Sequence, residues 1–122
     1  MARILIIDDE ELVRFTIRQI LEAAGHDVGE AKNGAEGLTR FKTNPYELVI
    51  TDIIMPEKEG IETIIELHRD FPATRIIAIS GGGRTRNLDF LKLAGQFGAA
   101  VSLAKPFSDD ELIAAVDSCL AM

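Results

Sequence analysis

The residues of this chain best suited to chemistry carry oxygen and lie far apart in sequence. Asp8, Asp9 and Glu10 stand together near the start, Asp52 lies mid-chain, Ser80 precedes Gly81-Gly82-Gly83, and Lys105 precedes Pro106-Phe107. One Asp after a strand is ordinarily a turn former or helix cap. Carboxylates gathered in one crevice repel and raise each other's pKa, which a divalent cation relieves. A set of oxygens suits a hard ion that keeps some of its waters, such as Mg²⁺, and one lysine neutralises only one of the charges. Other chemistries lack their parts. The glycines at 81–83 run into Arg84-Thr85 without the Gly-Lys-Ser/Thr ending of a nucleotide loop. No Gly-x-Ser-x-Gly elbow is present. His26 and His68 fall in elements away from the acids, as an exposed turn residue and a helix-surface or core-edge residue, which leaves no triad. The single Cys119 excludes an internal disulfide and a cysteine metal cluster.

These residues come together only if the elements between them stack in a particular way. Ile4-Leu5-Ile6-Ile7 is a continuous apolar run stopping at Asp8, as expected of a strand buried on both faces. Val13, Ile17, Ile20, Leu21 and Ala24 follow at helical spacing, and Gly25 closes that helix. His26 to Glu30 reads as a weak strand. Asn33 N-caps a helix through about Lys42, which Asn44-Pro45 ends. Glu47 to Thr51 is a third strand stopping at Asp52. A loop with Met55-Pro56 and Gly60 leads into a helix with Ile61, Ile64, Ile65 and His68 on one face, stopped by Phe71-Pro72. Arg75 to Ile79 is a fourth strand ending at Ser80. A helix from about Arg86 to Phe97 ends at Gly98, and Ala100 to Leu103 is a fifth strand. Ser108 caps the last helix in a capping box with Glu111, turning Leu112, Val116, Cys119 and Leu120 inward.

Five successive strand–helix units predict an α/β fold: a five-stranded parallel sheet, doubly wound and flavodoxin-like, with helices on both faces. Ligands in such sheets bind beyond the carboxyl ends of the strands. Asp8, Asp9, Glu10, Asp52, Ser80 and Lys105 all stand at those ends, and their conjunction is what marks a site.

Residues 1–122 read as one domain, without linker, repeat or low-complexity tract. Hydrophobic residues make up 47% and charged residues 27%, within the globular range. Twenty acids against thirteen bases give a net charge of −7, which argues against direct nucleic-acid binding and fits a cation site or a basic partner patch. The longest uncharged stretch, Leu93 to Ala104, is too short to cross a bilayer. The N-terminus passes from apolar residues straight into acids, unlike a signal peptide, so the expected compartment is the cytoplasm.

Taken in order, Asp8-Asp9, Asp52 with Met55-Pro56, Gly60, Ser80 and Lys105-Pro106-Phe107 resemble the signature of bacterial response-regulator receiver domains over essentially the full length. The resemblance implies that Asp52 accepts a phosphoryl group from a phosphohistidine on a sensor histidine kinase or phosphotransfer protein. It implies Mg²⁺ bound by Asp9, with Asp8, Asp52 and the Ile54 backbone carbonyl, and phosphoryl oxygens held by Ser80 and Lys105. It also implies a cis Lys105–Pro106 bond. Such transfer depends on alignment and charge neutralisation more than on covalent help. The chain departs from the family pattern in three ways. Ser102 stands where an aromatic residue often swings inward. The Ser80–Lys105 segment is about three residues longer than usual. Ile54 and Gly82 offer no polar side chain where the family tunes phosphoryl lifetime.

Between residues 86 and 97, Leu88 and Leu91 form one apolar stripe and Phe90, Leu93 and Phe97 another. One sheet face cannot bury both. A broad contact with a neighbouring helix is one reading. The other is a surface for a downstream target, an output domain or a second copy of the chain, shifted on phosphorylation through residues 80–97. A signalling domain rather than an enzyme is expected. The alternatives are a non-phosphorylated binding module of the same fold and a Mg²⁺-dependent phosphatase with an Asp nucleophile. The latter needs a second Asp two residues after Asp52, where Ile54 stands.

Overall fold

The computed structural model describes residues 2–53, 59–80, 92 and 94–122. The chain runs β1 (Arg3–Ile7), α1 (Glu11–Ala23), β2 (Asp27–Ala31), α2 (Gly34–Thr43), β3 (Leu48–Asp52), α3 (Glu59–Asp70) and β4 (Arg75–Ser80). Helical residues 92 and 94–97 are the described part of α4. Then come β5 (Val101–Ala104) and α5 (Asp109–Leu120). The strands form one parallel sheet in the order β2-β1-β3-β4-β5. The expected fold is therefore present, with strand bounds shifted by a residue or so.

The continuous apolar runs reflect a sheet covered on both sides. Ile4 and Ile6 turn to one face with Ile50, Ile77 and Ile79, under Ile17 and Leu21 of α1 and Leu112, Val116 and Cys119 of α5. Leu5 and Ile7 turn to the other with Val49, Ile76 and Ala78, under Phe41 of α2, Ile64 and Leu67 of α3 and Ala94 of α4. Successive side chains alternate between faces, so a strand covered twice must be apolar throughout.

Local signals close the elements. The Asn33 side chain accepts from the Glu36 amide at 2.8 Å, and Ser108 and Glu111 form the capping box. Gly25 and Gly98 follow their helices with φ of 93° and 129°, a region that disfavours side chains.

Several sequence expectations need correction. On α3 the buried large apolar residues are Ile64 and Leu67, whereas Ile65 and His68 are exposed, so the core stripe is rotated from the expected one. Ala24 is exposed, whereas Leu120 is half-buried and packs against the core on the expected side. His26 is half-buried, and its Nδ1 accepts the Ala2 amide at 3.1 Å, pinning the entry to β1. Cys119 is buried and burial pushes its thiol pKa up, the environment of a packing residue. No described helix is long and apolar enough to cross a membrane.

Candidate functional site

The strand registers bring the expected residues level at one edge of the sheet. Ile7 pairs with Ala31 and Thr51, Asp52 with Ile79, and Ser80 with Ala104. Asp8, one residue beyond β1, therefore sits beside Asp52 at the end of β3, where the strand order reverses and a crevice opens. Asp8 and Ser80 are fully buried, and Asp52 is 3% exposed.

Lys105 joins the two carboxylates. Its Nζ lies 3.1 Å from Asp8 Oδ2 and 3.3 Å from Asp52 Oδ2. Its amide donates to the Ser80 carbonyl at 2.7 Å, which ties the end of β5 to the end of β4. The Lys105–Pro106 bond is cis, as the resemblance implies. Desolvation works against the ammonium, but the charges of Asp52 and Asp8 and their hydrogen bonds outweigh it and hold the lysine pKa above its ordinary value.

Asp8 uses its other oxygen locally, accepting the Glu10 amide on Oδ1 at 2.8 Å. That turn presents Asp9 and Glu10 outward as exposed residues, and carboxylate oxygens of Asp8, Asp9 and Glu10 lie within 4.8 Å of one another. An all-oxygen set with one member buried fits a hard divalent cation. Glu10 belongs to this cluster, although the resemblance assigns it no role. Ser80 contributes a different feature: its Oγ is buried without a hydrogen-bond partner among the described residues. Such a hydroxyl is costly unless something else supplies an acceptor.

Ile54, Met55-Pro56, Gly81 to Gly83, Leu88, Phe90, Leu91 and Leu93 lie outside the described residues. Of the expected second apolar stripe, Phe97 is described and is 40% exposed. Ser102 lies on β5 as an exposed residue. Gly60 is explained by close approach: a Cβ there would collide with the Asp52 carbonyl oxygen and Ile53 Cα. The glycine lets α3 start directly against the strand end that carries Asp52.

Sequence reasoning missed two groups around the site. Arg14 Nη1 donates to the Asp8 carbonyl at 2.7 Å while its Nε donates to Glu30 Oε1 at 3.1 Å. Arg18 holds the other Glu30 oxygen at 2.7 Å. That hydrogen bond, opposed by burial and aided by Arg14, keeps the Glu30 carboxyl below its ordinary pKa. The second group is a groove of about 320 Å³ lined by Leu12, Val13, Ile17, Lys105, Pro106 and Phe107. Leu12 and Phe15 are 74% and 55% exposed. The available signal was their position on α1, off the buried stripe, where polar residues are expected.

The comparisons with known proteins agree with this architecture. A family model described as the response regulator receiver domain matches residues 4–117. The chain belongs to the response-regulator receiver family. This receiver domain is 36% identical over 120 residues to the chemotaxis protein CheY of Bacillus subtilis, covering 97% of each chain. It is 34% identical over 123 residues to the transcriptional regulatory protein CpxR homolog of Haemophilus influenzae, covering 98% of this chain and 51% of that protein. Among solved structures, a response regulator receiver domain protein from Clostridium thermocellum matches with a TM-score of 0.89 at 33% identity, over 99% of this chain and 95% of that one. NtrX from Brucella abortus matches with a TM-score of 0.92 at 29% identity, over 98% of this chain and 27% of that one. Receiver domains of two-component response regulators thus occur among these matches both as nearly whole short chains and as parts of longer ones.

Proposed function

We propose that residues 1–122 act as one phosphoacceptor domain, with Asp52 taking a phosphoryl group from a phosphohistidine of a sensor histidine kinase or phosphotransfer protein. The observation that carries this reading is the Lys105 ammonium shared by two buried carboxylates, Asp8 and Asp52, beside the unpartnered Ser80 hydroxyl. An Asp52 oxygen forms the new P–O bond as the P–N bond of the donor breaks, and the electron pair stays on the imidazole nitrogen. Lys105 offsets charge on the transferred oxygens, and Ser80 Oγ gains the acceptor it lacks. Asp8, Asp9, Asp52 and the Ile54 carbonyl would hold Mg²⁺, which when bound supplies further neutralisation of the phosphoryl oxygens. The groove of Leu12, Pro106 and Phe107 shares Lys105 with the site, which supports a macromolecular donor that covers apolar surface as it delivers its phosphoryl group.

On this reading the domain is a bacterial cytoplasmic signalling module rather than an enzyme. It reports phosphorylation through residues 80–97 to a downstream target, an output domain or a second copy. Direct contact with nucleic acid or insertion in a membrane is not expected of it. A small phosphodonor, acetyl phosphate or phosphoramidate, with Mg²⁺ should add one phosphoryl mass to the intact protein, and Asp52→Asn should remove that gain entirely. Undiminished labelling of the Asn variant would move the acceptor elsewhere. No labelling of the wild type by either donor would favour a non-phosphorylated binding module.

A further inference from the structure

The turn that carries the acidic cluster is fixed from outside the cluster. Its side-chain anchor is the Asp8 Oδ1 bond to the Glu10 amide. Its backbone anchor is Arg14, whose Nη1 lies 2.7 Å from the Asp8 carbonyl oxygen. The orientation of the Asp8–Asp9 peptide decides where the Asp9 carboxylate stands, and no hydrogen bond among the described residues holds the Asp9 side chain itself. Arg14 is in turn held. Its side chain is 16% exposed, and Glu30 grips its Nε while Arg18 occupies the other Glu30 oxygen. A guanidinium can serve both contacts because its planar fork presents donors in fixed directions.

We infer that Arg14 is a positioning residue for the cation site: by clamping the Asp8 carbonyl between α1 and β2 it sets the Asp8–Asp9–Glu10 turn in the geometry that binds a divalent ion. This rests on the reading of the acidic cluster as a Mg²⁺ site. It also makes a claim that charge alone contradicts. Arg14 places a positive charge beside a cation site, so by Coulomb repulsion its removal should tighten binding. If Arg14 acts by position, its removal weakens binding. The sign of the effect separates the two.

The test is isothermal titration with MgCl₂ at fixed ionic strength. It compares wild type, Arg14→Met and Arg18→Met, with folding checked by far-ultraviolet circular dichroism. Methionine keeps the apolar stem packed, and Arg18 still partners Glu30 when Arg14 is gone, so no carboxylate is stranded. Arg14→Met should weaken Mg²⁺ about tenfold, the scale seen when groups supporting metal ligands are removed. Arg18→Met removes the same charge from the same cluster but no bond to the turn, and should stay within about twofold of wild type, a change worth about 0.4 kcal/mol. Equal or tighter binding by Arg14→Met overturns the inference, as does an equal loss in Arg18→Met. If Arg14→Met does not fold, Arg14→Lys keeps the charge without the fork and should show the weakening, and unchanged affinity there is equally fatal. A wild type that takes up no Mg²⁺ overturns both this inference and the cation reading of the cluster. A wild type that binds while Arg14 variants match it overturns this inference alone.

Discussion

The two halves of the site are built differently. On the β1–α1–β2 side every anchor is engaged: both Asp8 side-chain oxygens are bonded, and its carbonyl is clamped by Arg14, itself held by Glu30. On the β4–β5 side Ser80 keeps a buried hydroxyl without a partner, and β5 is a short edge strand in which half-buried and exposed residues alternate. A satisfied network resists change, whereas an unsatisfied buried group favours any arrangement that gives it a partner. The contrast assigns the first side to holding a ligand in place and the second to registering its arrival. Lys105 belongs to both, reaching from the end of β5 to Asp8 and Asp52.

The largest way to break this comparison is to remove the shared group. Lys105→Met removes the ammonium that the Asp8 and Asp52 carboxylates share, and should cost about 3 kcal/mol of stability at neutral pH, read by urea unfolding. The lysine pKa is raised in the folded state, so its stabilisation is complete below the ordinary lysine value of 10.5 and is lost as pH rises through the folded value. The Met variant should lack that alkaline decline. A variant as stable as wild type would mean that the two carboxylates are not mutually strained.

A smaller effect tests the engaged side. Binding to the folded state alone adds about 1.4 kcal/mol at a Mg²⁺ concentration ~10 times Kd. Thermal denaturation should show this rise in wild type, and Asp9→Ala should abolish it. A Mg²⁺-dependent rise that survives in Asp9→Ala would move the cation away from the turn. The smallest effect carries the opposite sign. Ser80→Ala deletes a buried hydroxyl that has no partner, and should stabilise the unphosphorylated protein by about 1 kcal/mol. The same variant should show weaker protection changes in residues 80–97 when hydrogen exchange is compared with and without a beryllofluoride phosphoryl mimic. Destabilisation by Ser80→Ala would mean that the hydroxyl already serves the resting state.

Much of this molecule was legible in one dimension. Ile4 to Ile7 and Leu48 to Ile50 are apolar without alternation because each strand is covered twice. Asp8 and Asp52 mark where those runs stop, and Asn33, Ser108 and Glu111 announce helix starts through short-range bonds. Such signals are local: periodicity reports which faces are covered, and a cap involves residues three apart. The helix α3 shows the limit. Ile61, Ile64, Ile65 and Leu67 are all apolar, and only packing against the sheet decided that Leu67 is buried and Ile65 exposed.

The sequence by itself determined the strand–helix alternation, the strand ends and the residue types placed there, because each depends on neighbours a few positions away. Tertiary structure alone decided that Lys105 meets Asp8, ninety-seven residues away, and that it divides itself between Asp8 and Asp52. It alone made Asp8 the buried acid and Asp9 the exposed one, left the Ser80 hydroxyl without a partner among the described residues, placed Arg14 on the Asp8 carbonyl, and made Gly60 necessary. These facts follow from strand order and register, which bring distant segments to one edge, and no local pattern records which atoms then fall within bonding distance.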